Sequence, residues 1–218
     1  AGSAVIAQFV FLCPFFLGRQ FLGRAQDIEE VMRVLVVAGL FYSLLMLFEI
    51  RMSPQLHTWV YGYFPHSFVQ QMRDSGFRPV VFLGHGLLVA FFAMTTVVAA
   101  VALWRTQRRI YRLSPVGVTA YLSIVLFLCK TLSALVYGAV LAVLVRLAGP
   151  RLQVRIALLL VFIALLYPTL RMTNLFPASA LVDIASSIDA DRAQSLDFRI
   201  KQEDMLLDRA WQRFSFGW

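Results

Sequence analysis

The chain has 218 residues, of which 60% are hydrophobic and 15% charged, with a mean hydropathy of +0.73 and a net charge of +8. An apolar content this far above the roughly 45–50% of soluble domains excludes an ordinary soluble protein and predicts an integral membrane protein. The positive charge comes from arginines between apolar runs, as membrane topology requires, so we do not expect nucleic-acid binding.

The apolar runs predict an all-α, polytopic membrane protein with about six transmembrane helices. The expected spans are residues 4–17, 34–50, 80–104, 116–129, 131–147 and 156–170. Pro14 should kink or end the first helix, because proline removes a hydrogen-bond donor. Asp27 is expected near the N-cap of the second helix, and Glu49 in its last turn should form a local ion pair with Arg51.

The connection 51–79 is too polar to span a membrane, and it carries an aromatic cluster typical of the membrane interface. The cluster comprises Trp59, Tyr61, Tyr63 and Phe64. Pro65 should begin a short helix that lies along the surface. Arg78 and His85 are seven residues apart, so they would share one helical face if Pro79 opens the third helix.

Residues 116–147 are apolar except around Lys130, and 32 residues would form a helix of roughly 48 Å, too long for a bilayer without strong tilt. A lysine in mid-membrane would also cost about 3 kcal/mol. A turn near Lys130 that divides the run into two helices removes both problems, and we favour it over one tilted helix. Ser114 and Pro115 predict the start of this region.

The distribution of basic residues predicts the orientation in the membrane. The loops 18–33, 105–115 and 146–155 carry ten Lys and Arg, including the dense cluster Arg105, Arg108, Arg109 and Arg112. The opposite short loops carry four, so the first set should be cytoplasmic. Residues 1–170 would then form the transmembrane region. Residues 171–218 would form an acidic periplasmic segment with an amphipathic helix starting near Ser195.

Basic residues gather on the expected outer face and suggest an anion-binding site. The candidates are Arg78, His85, Lys130, Arg192 and Arg199. Guanidinium groups bind phosphate oxygens in pairs, and a histidine could take a proton from a hydroxyl. Each residue also has a structural interpretation: interface anchor, snorkelling lysine or solvated helix face. The two cysteines lie in apolar runs without metal spacing, so we expect no metal or cofactor.

Three segments resemble motifs of the bacterial O-antigen ligase and O-antigen polymerase superfamily. RDSGFRPVVFLGHGLLVAFF resembles the R-x-G-x-F start of a membrane helix, with Arg78 near the arginine and His85 near the usual asparagine. LCKTLSALVYGAVLAVLVRL resembles the T-x-S-R-x-A start of the next helix pair. SLDFRIKQEDMLLDRAWQRFSFGW resembles the start of a large periplasmic loop, with Arg199 on its arginine.

The resemblance implies a GT-C-type, inverting, metal-independent glycosyltransferase of the bacterial inner membrane. It would move a glycan from undecaprenyl diphosphate to a lipid or glycan acceptor at the periplasmic face. Ala134 replaces the basic residue expected after Ser133, so Lys130 could substitute for it only by position. No histidine here corresponds to the family's loop histidine, and we expect the chain to be truncated relative to that family. The alternative is an inactive relative that serves as a structural subunit of a larger membrane complex and binds other membrane proteins and lipids.

Overall fold

The computed structural model describes residues 2–65, 67–73, 76–108, 111–173, 176–188 and 190–212. Arg109, named above, lies outside these ranges. The described chain is mostly helical and divides into two compact units, residues 1–149 and 150–218. The boundary predicted at residue 170 stays a prediction about membrane topology.

Within its described residues, the first unit contains six α-helices and one small hairpin. The helices are α1 (Gly2–Phe21), α2 (Ala25–Met52), α3 (Leu56–Tyr61), α4 (Gly86–Arg105), α5 (Pro115–Leu128) and α6 (Leu132–Leu147). Between α3 and α4 a 3₁₀ turn (Phe68–Gln71) leads into the strands β1 (Met72–Arg73) and β2 (Gly76–Phe77), which pair antiparallel. The short helix expected after Pro65 is present in the described residues only as this four-residue 3₁₀ turn.

The core of the first unit lies around α4, which packs against α2, α5 and α6. Small and branched side chains of α4 are buried on several sides, among them Ala90, Ala93, Val97 and Ala100. At one end of α4, Arg105 Nη1 donates to Val145 O at 2.6 Å and Ala148 O at 2.5 Å, and so caps the end of α6.

The second unit contains α7 (Pro150–Met172), α8 (Ala178–Ile188) and α9 (Ala190–Gln212), of which α8 and α9 pack together. The predicted tail helix is confirmed as part of α9, whereas α8 was not predicted. The buried Arg171 at the end of α7 pairs with Asp204, and its Nε lies 3.6 Å from Glu203 Oε2. Tyr167 Oη donates to the same Glu203 oxygen at 2.7 Å, so α9 is fastened to the end of α7.

In the part of the chain that the structure describes, three helices, α2, α4 and α7, are long and apolar enough to cross a membrane, which indicates a membrane protein. The apolar helices α5 and α6 are shorter, as is Ile6–Phe21, the part of α1 that was compared. The turn predicted near Lys130 is confirmed, because α5 ends at Leu128 and α6 begins at Leu132. The start of α5 is also confirmed, with Pro115 at its first position and Gly117 N donating to Ser114 Oγ at 3.2 Å.

Several predicted helix bounds are wrong. The first helix continues through Pro14 to Phe21. The second begins at Ala25, ahead of the predicted span, but the expected position of Asp27 near the N-cap is confirmed, because Asp27 lies in the first turn and accepts from the N-cap Arg24 N at 2.9 Å. The third begins at Gly86 and not at residue 80, because the intervening residues form a tight loop with positive φ at Val81 (47°) and Gly84 (74°).

Candidate anion-binding site

Arg78 lies directly after the hairpin and is buried, with 8% of its surface exposed. Its backbone N donates to Gln71 O at 2.8 Å, which fixes the strand end against the 3₁₀ turn. A Cβ on Gly86 would lie 2.2 Å from Arg78 Cδ, so the arginine stem passes over the backbone where α4 begins. Only a glycine at position 86 leaves room for the stem in this position.

Gln71 contributes a buried amide to the same place. Its side chain is fully buried, and its Oε1 would lie 2.9 Å from a Cβ on Gly86, next to the Arg78 stem. Neither Gln71 Nε2 nor Oε1 has a hydrogen-bond partner within the described part of the chain. A buried amide without a partner costs about 1–3 kcal/mol, so this amide has free capacity to bind a polar ligand.

Lys130 approaches the hairpin from the turn between α5 and α6. The residue has a left-handed φ of 51° and is half-buried. Its Nζ lies 3.0 Å from the position of a Cβ on Gly76, two residues before Arg78. The neighbouring Cys129 thiol lies within electrostatic range of the Arg78 guanidinium. Two basic side chains and one amide thus surround the end of the hairpin, and we name Arg78, Lys130 and Gln71 the basic cluster.

His85 does not share a helical face with Arg78, because residues 79–85 are not helical. Instead it is the N-cap of α4, and its Nδ1 accepts from Leu87 N at 3.0 Å. The expectation that Pro79 opens this helix is therefore wrong. His57 is likewise engaged, since it is buried between the rings of Tyr61 and Tyr63 and its Nδ1 lies 2.9 Å from Tyr63 O.

Glu49 differs most from its predicted role, which was a local ion pair with Arg51. Its carboxylate is fully buried, and Oε2 accepts from Val80 N and Val81 N, both at 2.7 Å. Oε1 accepts from Leu56 N at 3.1 Å. The expected ion pair with Arg51 is wrong, because these backbone groups occupy the carboxylate while Arg51 is exposed. The sequence feature that could have indicated this buried role is the position of an acidic residue inside an apolar run.

The remaining candidates belong to the second unit. Arg199 is exposed on α9, and Arg192 lies on α9 with a side chain that is not described. Their roles stay predictions. Arg171, in contrast, is engaged by the two acidic residues of α9 described above. In the described ranges, no three His, Cys, Asp or Glu side chains cluster so that they could hold a metal ion.

No protein-family model, curated protein or solved structure matches this chain.

Proposed function

We propose that this chain is part of a glycosyltransferase with six membrane spans and a GT-C-like fold in the bacterial inner membrane. It transfers a glycan from an undecaprenyl-diphosphate carrier to a lipid or glycan acceptor at the periplasmic face. The observation that carries the proposal is the basic cluster, in which a buried arginine lies beside a buried amide with open hydrogen-bonding capacity and a lysine approaches the same hairpin.

The chemistry of the cluster suits a diphosphate leaving group. The acceptor hydroxyl oxygen bonds to the anomeric carbon while the bond from that carbon to the diphosphate oxygen breaks. The hydroxyl proton passes to a base, for which the resemblance implies a loop histidine. The electron pair stays on the diphosphate, whose charge Arg78 and Lys130 stabilise, with Gln71 Nε2 as a further donor. Arg199, from the sequence motif that it matches, and Arg192, seven residues before it, are proposed to bind substrate as part of the second unit by itself.

Replacing Arg78 by alanine tests this function directly. We expect the protein in lipid nanodiscs to bind undecaprenyl diphosphate at least about tenfold more weakly, since a hydrogen bond to a charged group contributes about 1.5–3 kcal/mol. Wild-type protein should bind undecaprenol, which has the same chain without phosphates, far more weakly. Arg51→Ala is the control, because Arg51 is exposed at the end of α2, and it should change the affinity by less than about twofold.

Two results would contradict the proposal. One is equal binding of undecaprenol and undecaprenyl diphosphate by the wild type. The other is unchanged diphosphate binding by Arg78→Ala, together with normal glycan transfer in cells. Either result would favour the structural-subunit alternative, which co-purification with another membrane protein in mild detergent would then support.

Replacing Gly86 by alanine tests whether the position of the Arg78 stem matters for binding. The new Cβ would lie 2.2 Å from Arg78 Cδ and 2.9 Å from Gln71 Oε1, so both side chains must move. We expect undecaprenyl diphosphate to bind about three- to tenfold more weakly, as for the loss of one ordinary hydrogen bond, with the helix content retained. Gly149→Ala is the matched control, because nothing lies within 4 Å of its Cβ position. Equal affinities of the two variants would show that the stem position is irrelevant.

A further inference from the structure

We infer that Glu49 and Tyr42 of α2 are positioning residues that hold the loop 80–82 and thereby fix Arg78 in the basic cluster. The two side chains are seven residues apart, which sets them on one face of the helix two turns from each other. We name them the α2 clamp. Its consequence for ligand binding rests on the proposed function, whereas its effect on the position of Arg78 does not.

The α2 clamp binds three consecutive backbone N–H groups. Glu49 Oε2 accepts from Val80 N and Val81 N at 2.7 Å each, and Tyr42 Oη accepts from Phe82 N at 3.0 Å. Val80 and Val81 are fully buried, so no water can take over these donors. These two donors therefore depend on Glu49 of α2 for their hydrogen bonds.

The loop needs an external constraint because its backbone is strained. Val81 has a φ of 47°, in the left-handed region that a β-branched residue rarely adopts. Such a conformation persists only where the surrounding contacts determine it. The hydrogen bonds of the α2 clamp act on both sides of the Val81 Cα, at the amides of residues 81 and 82, and so hold this conformation.

Arg78 lies between two backbone segments that hydrogen bonds hold in place. On its N-terminal side its own backbone N donates to Gln71 O, and on its C-terminal side the clamped loop begins two residues later. The clearance of its stem over Gly86 depends on the relative position of these two segments. Glu49 itself does not contact a ligand, because it is fully buried and both carboxylate oxygens accept backbone N–H groups.

Chemical modification of Arg78 by phenylglyoxal, followed by peptide mass spectrometry, tests the clamp without any ligand. The variants are Tyr42→Phe, which removes one acceptor without changing the ring, and Glu49→Gln, which leaves one acceptor oxygen where two are needed. We expect the modification rate to rise about threefold in Tyr42→Phe and about tenfold in Glu49→Gln, as for losing one neutral or one charged hydrogen bond. Tyr121→Phe is the matched control, because it removes the 2.9 Å contact between Tyr121 Oη and Ser43 Oγ of α2.

A double-mutant cycle tests the consequence for binding. Tyr42→Phe should weaken the binding of undecaprenyl diphosphate about threefold, and it should have no further effect when Arg78 is already alanine. Unchanged modification of Arg78 in both clamp variants, or additive losses in the cycle, would overturn the inference. If wild-type protein does not bind undecaprenyl diphosphate, the proposed function fails, while the modification rates still decide the role of the clamp.

Discussion

Replacing Glu49 by leucine is expected to lower the free energy of unfolding of the first unit by about 3–6 kcal/mol. Leucine nearly preserves the volume and the apolar surroundings, but it cannot accept the hydrogen bonds that Glu49 accepts from three backbone N–H groups. Two of these donors belong to fully buried residues, where an unpaired donor bears its full desolvation cost. Reversible unfolding in mixed micelles with increasing SDS would measure the change.

Glu30→Leu is the matched control on the same helix. Glu30 Oε1 accepts from Arg33 Nη1 at 2.8 Å, but its side chain is 64% exposed, so the pair is screened by solvent. We expect this control to cost less than about 1 kcal/mol. If Glu49→Leu were no more costly than Glu30→Leu, the buried hydrogen bonds of Glu49 would not stabilise the unit, and the role assigned to this carboxylate would be wrong.

The helices that hydrophobic runs and capping residues define could be predicted from the sequence. Ser114 followed by Pro115 marked the start of α5, since both act through neighbouring residues on the same helix. The break at Lys130 could be predicted although no glycine or proline marks it. The prediction was based on the length of the apolar run and on the free-energy cost of a charge inside the membrane. In the structure the turn forms with Lys130 itself in the left-handed region.

The loop before α4 could not be predicted, because its apolar residues are indistinguishable from the beginning of a membrane helix. Val80 and Val81 leave the helix because the carboxylate of Glu49, 31 and 32 residues away in the sequence, accepts their N–H groups. The local sequence around residues 80 and 81 does not indicate a hydrogen-bond acceptor so far away in the chain. The same limit explains why Glu49 was assigned to its sequence neighbour Arg51.

Part of the candidate site could also be predicted. The predicted topology placed Arg78 and Lys130 on one side of the membrane, and both adjoin the hairpin in the structure. Gln71 was missed, because an uncharged side chain in a polar loop has no distinguishing sequence pattern. Its importance is visible only from its complete burial and from the open hydrogen-bonding capacity of its amide.

Replacing Gly39 by leucine is expected to cost about 2–4 kcal/mol in the free energy of unfolding, since overpacking of a closed interface forces backbone movement. Gly39 is buried where α2 meets α4, and a Cβ there would lie 2.7 Å from both Thr96 Cβ and Thr96 Cγ2. Thr96 cannot turn away easily, because it is buried and its Oγ1 donates to Ala93 O at 2.8 Å. Small residues at such contacts let membrane helices approach closely.

Gly23→Leu is the control for this substitution, because Gly23 is exposed and nothing lies within 4 Å of its Cβ position. The same micelle unfolding assay should show a change below about 0.5 kcal/mol for it.

A second comparison tests the cause of the loss. Gly39→Ala should destabilise the unit, and it should cost less when Thr96 is already glycine than when threonine is present, because Thr96→Gly removes the atoms that the new methyl group would meet. If the double variant were as unstable as the sum of the two single variants, steric contact between α2 and α4 could not be the reason.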